Sequence, residues 1–534
     1  MRSSKRWVKA TAVVAAAMLA LSACGGDSDE GGEGSTTDTT TTDGGEGGEG
    51  GDGAPSGQIN LGVAYETTNY DPSTTSSALA MGANWHVMEG LYEFDMATYE
   101  VYPALADGEP VEISDTEYEI TLREGAKFSD GTDVTTEDVL ESWARTTDET
   151  SIYKQFFTFI DSVEAKDDQT ITVKLNYPFA GLADRLVNVK IIPASSTQDE
   201  MTAHPIGTGP FKYTEITNTS IEAVPNEHYN GSKPAQVELM HWDVLKDDSA
   251  RLSAALGGTI DVMETVPSAT KDQLAGAGWE LDEVPGYNNA FLMFNTAKDP
   301  FGDAEVRRAF HQAIDRQGLV DTALAGDAIV STAFLPETNP MYSEAATQFE
   351  YDTEAAAQVF ADAGLTEVTL ISTDHPWVAN LTPQIRQDLE AAGLTVNVQS
   401  MASGDLYANF ADVDNPTYDV ALAPGDPSVF GQDPGIVIDW WYGDNVWTQQ
   451  RTSWAQTAPE AFQQLQDISS EASQLTGDEA TAKWAEALDL IAEEAPIYPL
   501  FHRTMITGFN MDKLENVDGI GTTGLELVGA SVKN

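Results

Sequence analysis

The chain has 534 residues, with 86 acidic against 27 basic side chains and a formal net charge of −59. At about 100–200 residues per domain the length suggests about three structural units, and core size is no constraint at this length. A field this acidic repels nucleic acid and anionic membrane surfaces, so neither is expected as a partner. Its acidity reads either as a solubility or salt-tolerance surface or as a preference for cationic or amine-bearing ligands, which such a field attracts.

The first elements lie at the amino terminus. Arg2, Lys5, Arg6 and Lys9 form a basic leader, and Ala10 to Leu21 is apolar apart from Thr11. A basic start, a short apolar stretch and small residues before a cut make a secretory signal over residues 1–23. The stretch is too short for a bilayer span, which takes about 20 apolar residues. Leu21-Ser22-Ala23-Cys24 resembles the bacterial lipobox. That resemblance implies cleavage before Cys24 and acylation of its thiol, the two or three acyl chains giving a durable anchor where one gives a marginal one. Cys24 is the only cysteine, so no intrachain disulfide can form. The adjacent arginines of a twin-arginine signal are missing, which points to the general secretion route. Residues 24–57 are Cys24 followed by an acidic Gly/Ser/Thr tether with too few apolar side chains to offset the entropy of ordering it. Its random-coil reach is about 30 Å. The expected location is the extracellular face of a bacterial cell membrane, or the periplasmic side where an outer membrane exists.

Apolar patterning begins at Ile59 and runs to the end without an internal repeat. Gly207-Thr208-Gly209-Pro210 reads as a tight turn before a strand. A helix starts near Asp303 with Val306, Phe310, Ala313 and Ile314 inward. Asp352 caps another, whose apolar side is Ala355, Ala356, Val359, Phe360 and Ala363, and Gly364 stops it. Val368 to Ile371 reads as a buried strand. Thr382-Pro383 predicts the start of a further helix, with Ile385 and Leu389 on one face and Gly393 at its end. Val396 and Val398 alternate in the strand that follows, so the unit is a parallel crossover. Tyr418 to Leu422 reads as a strand. A late helix carries Trp484, Leu488 and Ile491 and ends before Pro496. The architecture is mixed α/β.

No catalytic signature is present. The sequence has no Gly-x-Ser-x-Gly elbow, no His-Glu-x-x-His helix and no phosphate-binding loop. Gly207 to Pro210 lacks the third glycine of a dinucleotide fingerprint. The seven histidines are scattered, and none pairs with another His or Cys at ligand spacing. His241 and His311 are assigned to packed strands and helices. No cofactor, metal or enzymatic activity is expected.

Several segments together resemble the extracellular solute-binding proteins of the peptide/nickel class, family 5, which serve ABC importers. They are Tyr70-Asp71-Pro72, Met88-Glu89-Gly90-Leu91-Tyr92, Pro103-Ala104-Leu105-Ala106, and the block Leu122 to Thr132 (LREGAKFSDGT) with Asp138-Val139 after it. Gly207 to Phe211, Asn226 to Gly231, and Val306-Arg307-Arg308-Ala309 with Ala313-Ile314-Asp315 complete the set. Their order and spacing cover nearly all of Ile59 to Asn534. The resemblance implies a two-lobed class II binding-protein fold with a hinge and a third, smaller inserted domain. Lobe I would comprise 58–90, 206–285 and 500–534, the inserted domain 91–205 and lobe II 286–499, with crossings near Pro285 and Pro499. It also implies a monomeric receptor that captures a peptide-like or other amine-bearing small solute and hands it to a permease and its ATPase. A lipid-anchored sensory receptor and a secreted hydrolase are the alternatives. The poverty in His and the single Cys weigh against nickel as the ligand.

Asp426 matches the aspartate that, in dipeptide binders of the family, meets the ligand's ammonium group. Asp433-Pro434 matches the Asp-Pro that follows, and Ala423 stands where the family has a tryptophan. Asp426 could equally cap the next turn. Phe430, Trp440 and Trp441, with Trp377 upstream, are candidate cleft walls or core residues. Tyr65, Thr67 and Asn69 lie in a segment resembling the one that runs beside the ligand backbone as a strand in peptide-binding relatives.

Overall fold

The computed structural model describes residues 54–149 and 151–533. The signal segment, Cys24 and the tether through residue 53 fall outside the described residues. Eleven of the described strands join in one sheet. In chain order they are β1 (Gln58–Val63), β2 (Phe211–Ile216), β3 (Ser220–Pro225), β4 (Leu239–Val244), β5 (Val262–Met263) and β6 (Glu280–Phe294). Then follow β7 (Ala328–Val330), β8 (Glu367–Thr373), β9 (Thr395–Met401), β10 (Val420–Gly425) and β11 (Ile497–Phe509). Their spatial order is β9-β8-β10-β6-β11-β5-β1-β4-β3-β2, with β7 on the side of β11.

Two long strands carry the sheet from one lobe to the other. The first part of β6, Glu280 to Pro285, pairs with Phe509 to Thr504 of β11. The second part, Asn289 to Phe294, pairs with His502 to Ile497 and with β10 on its other side. Between Pro285 and Asn289 the register shifts. Pro285 sits at that break, whereas Pro499 lies further into the second lobe, opposite Phe291. Gly286 occupies the break because a Cβ there would overlap the Gly521 carbonyl oxygen.

The lobes have separate cores. Ile59, Leu61, Val63, Ile221, Trp242 and Phe509 fill the first. In the second lobe, α1 (Ala304–Ala313), α2 (Thr353–Asp362) and α3 (Pro376–Ala391) cover one side of β8, β9 and β10. Asp352 caps the second as the sequence predicts, accepting from the Ala355 N–H, and the first starts at the expected place, where Asp303 caps it by accepting from the Glu305 N–H. The other side carries α4 (Pro434–Tyr442), α5 (Pro459–Ala472) and α6 (Gly477–Glu494) around Trp441, Trp454 and Trp484. The parallel crossover from β8 through α3 to β9 is present. α3 begins earlier than Thr382-Pro383. Pro376 starts it at a position where a missing N–H costs nothing. Val378 and Leu381 then enter the same core as Ile385 and Leu389, and Pro383 is carried inside the helix, its lost donor tolerated. His311 is buried on α1 between Phe349 and Tyr498, and His241 lies on β4.

The third unit has its own antiparallel sheet, ordered Val111–Ser114, Glu117–Thr121, Thr170–Leu175 and Ile160–Ala165. Its core includes Phe128, Phe156, Phe159 and Val173, and it extends to Phe430 and Ile436 of the second lobe. No described helix is long and apolar enough to cross a membrane.

Candidate solute-binding site

β8 and β10 run parallel in register, Ser372 opposite Leu422. Their following loops therefore emerge at one end of the sheet, the place where open α/β sheets take ligands. Asp426 leads the loop after β10. Its Oδ1 accepts from Ser428 N–H (3.2 Å) and Ser428 Oγ–H (2.6 Å), which caps the short turn Pro427–Phe430. Its Oδ2 accepts from the Thr523 N–H (3.0 Å) in the C-terminal segment. Burial pushes the Asp426 carboxyl up to about 6, and these hydrogen bonds pull the other way.

Asp433 then caps α4 by accepting from Ile436 N–H (3.1 Å) and forms an ion pair of 2.7 Å with Arg185 of the third unit. Consecutive helical side chains diverge, so Trp440 and Trp441 face different ways. Trp441 packs edge-on against Phe291 and Phe334 in the core. Gly425 permits this, since a Cβ there would overlap the Trp441 ring. Trp440 instead meets Phe430 at 4.7 Å between ring centroids, and Phe430 packs on Tyr153 and Phe156 of the third unit. Asn188 Nδ2–H donates to the Phe430 carbonyl (2.9 Å).

Between these surfaces lies a cavity of about 900 Å³. Asp426, Phe430, Trp440 and Trp441 all line it, together with Trp447, Tyr407, Arg185 and Asp439. That volume suits a small solute, and aromatic walls with a few convergent polar groups are what such sites use. The remaining candidates are placed elsewhere. Trp377 lies over the Arg503 guanidinium at 4.1 Å, and Arg503 donates to Asn288 beside the strand break. Tyr65 sits 6.1 Å from His375 between ring centroids, and burial pushes its hydroxyl up to about 12. Residues 65–69 form no strand here. Thr67 and Asn69 hydrogen-bond each other, and Asn69 also bonds Thr74 and Asp71, so both side chains shape a turn.

The family model for the middle region of the bacterial extracellular solute-binding proteins, family 5, matches residues 100–454. The chain belongs to that family. It is 26% identical over 357 residues to the glutathione-binding protein GsiB of Pectobacterium atrosepticum, covering 63% of this chain and 68% of that protein. Its fold is similar to the Helicobacter pylori periplasmic binding protein DppA in complex with the peptide STSA. There the TM-score is 0.79 at 21% identity, over 90% of this chain and 98% of that one. The Escherichia coli murein tripeptide binding protein MppA gives a TM-score of 0.80 at 19% identity, over 90% and 99%. Family 5 members are binding proteins and not enzymes, and they act outside the cytoplasm.

Sequence reasoning missed Asp439, Arg185, Tyr407 and Arg451 in this family 5 cavity. Asp439 carried a usable signal, being the one charged residue within the otherwise apolar helix Pro434–Tyr442. Burial raises its carboxyl to about 7 against the opposing pull of Arg185. Arg451 is stacked at 4.1 Å on both Tyr407 and Trp447 and is paired with Asp412 at 2.6 Å.

Proposed function

We propose that this chain is the lipid-anchored receptor of an ABC importer, and that it captures a peptide-like or other amine-bearing solute in the cavity and delivers it to the permease. The observation that carries this reading is the cavity of about 900 Å³, walled by aromatic side chains where the third unit meets the second lobe. Outside the lining of that cavity, residues near the same end of the sheet carry polar atoms without a partner: Asn289 Oδ1, Ser372 Oγ, Thr373 Oγ1 and Trp377 Nε1. Buried polar groups need partners, and an extended solute with peptide groups would supply them. On this reading residues 286–288 and 502–504 act as the hinge, the inserted domain spans 91–205, and the protein works as a monomer. Calorimetric titration with small peptides, alongside mass spectrometry of any solute that co-purifies, tests it. Binding of no peptide and recovery of no amine-bearing solute would reject the substrate reading. For the anchor, Cys24→Ala should move the protein from the membrane fraction to the medium or periplasm. A variant that stays membrane-bound contradicts lipidation at Cys24.

A further inference from the structure

The charges around the cavity are unevenly partnered. Each of its three lining cations already has a carboxylate: Lys154 with Glu149, Arg185 with Asp433 and Arg451 with Asp412. Its other carboxylates, Asp426, Asp439 and Asp444, have no ion-pair partner among the described residues. Asp426 is hydrogen-bonded to Ser428 and Thr523, and Asp444 accepts from Gln449. Asp439 is different. Its carboxylate accepts no hydrogen bond from a described residue, although it is half-buried in the wall of the cavity. A desolvated carboxylate in that condition is costly unless a donor or cation arrives.

A second, independent observation lies in the same wall. Trp441, Arg185 and Ser469 are 1%, 3% and 7% exposed. Each leaves a polar atom without a partner: Trp441 Nε1, Arg185 Nε and Ser469 Oγ. Two of these are obligate donors, which require an acceptor. The cavity therefore offers one unmatched carboxylate, and residues of its wall carry enclosed polar atoms that have no partner. That carboxylate suits a solute carrying a cationic nitrogen. The aromatic rings favour the same cation, since Tyr407 and Trp447 already hold the protein's own Arg451 between them.

Resting on the reading of this cavity as the solute site, we propose that Asp439 receives the basic side chain or amine of a peptide-like solute, and that this receptor selects basic peptides. Asp439 is then a specificity residue distinct from Asp426, whose oxygens serve the protein itself. The net negative balance of the cavity acts in the same direction, and so does the −59 charge of the chain, which concentrates cations near the surface.

The test is calorimetric titration of the full chain with Lys-Ala-Ala, Ala-Lys-Ala and Ala-Ala-Lys, each against its norleucine counterpart, which keeps the length and removes the charge. Wild type should prefer lysine about tenfold or more in at least one position, the range of a desolvated charge pair. In Asp439→Asn, with folding checked by circular dichroism, that preference should fall below about twofold. Equal affinity of wild type for lysine and norleucine peptides overturns this inference while leaving the solute-binding reading intact. A lysine preference that persists in Asp439→Asn does the same. Failure of all six peptides to bind overturns the peptide reading of the cavity and this inference with it. Because the wild-type comparison stands alone, a variant that fails to fold does not shield the proposal.

Discussion

The loop after β10 and the second turn of α4 each bring a carboxylate to one cavity, and burial raises both groups, Asp426 to about 6 and Asp439 to about 7. The surroundings then separate them. Asp426 caps a turn with one oxygen and ties the C-terminal segment with the other. Asp439 has the electrostatic pull of Arg185 and no hydrogen bond from a described residue. The difference shows that burial and a raised proton affinity do not by themselves identify a binding group. What identifies it is the acceptor capacity that the fold leaves unused.

The largest expected effect tests the frame on which both regions hang. Gly286→Ala would drive a methyl group into the Gly521 carbonyl where β6 crosses between lobes. Overpacking against backbone should cost about 2–3 kcal/mol, read as a lowered midpoint in urea unfolding. An unchanged midpoint would mean that the crossing strands yield freely there. Next comes Asp426→Ala, which removes a cap and strands the Thr523 N–H. A loss of about 2 kcal/mol is expected in the same assay. A loss under about 0.5 kcal/mol would erase the contrast with Asp439.

The pH dependence of affinity sharpens the comparison. A cation favours the ionised Asp439, so binding lowers its proton affinity, and below about 7 the bound state must expel a proton. Affinity for a lysine peptide should therefore rise by about fivefold to tenfold between about pH 6 and pH 8, where the lysine amine stays charged. Asp426 titrates in the same direction from its lower value of about 6. Arg185 and Asp433 act on Asp439 directly, and the cavity's other charged groups are Lys154 with Glu149, Arg451 with its partner Asp412, and Asp444. Titrations at several pH values should show the slope in wild type and a much flatter one in Asp439→Asn. A flat wild-type profile would remove Asp439 from recognition. The smallest effect is on stability: Asp439→Asn should leave the ligand-free protein within about 0.5 kcal/mol of wild type, because no hydrogen bond is lost. Thermal or urea unfolding near neutral pH reads this directly, and a loss comparable to that of Asp426→Ala would assign Asp439 a structural role.

How far the sequence went is itself a contrast between local and distant pairing. The helix start near Asp303, the cap at Asp352 and the crossover from Val368 to Val398 rest on neighbours within a few residues, and their patterns are readable. The start of α3 was misplaced because Pro383 looks like a first-turn proline, and only the shared burial of Val378 and Leu381 reveals the longer helix. The crossing strands β6 and β11 are visible only through the crossings that the family resemblance puts near Pro285 and Pro499, because their pairing joins residues more than two hundred positions apart and leaves no periodic trace. The same holds in the cavity. Asp426, Phe430, Trp440 and Trp441 were reached through family resemblance, and all four line it. Arg185 was not, since it meets Asp433 across a separation of 248 residues.

The most direct test of the account is a crystal structure of the protein with whichever lysine peptide binds most tightly. The account predicts the peptide in the cavity between the third unit and α4, with its lysine nitrogen within about 3 Å of an Asp439 carboxylate oxygen. A peptide seated elsewhere, with the cavity holding only water and Asp439 untouched, would contradict it.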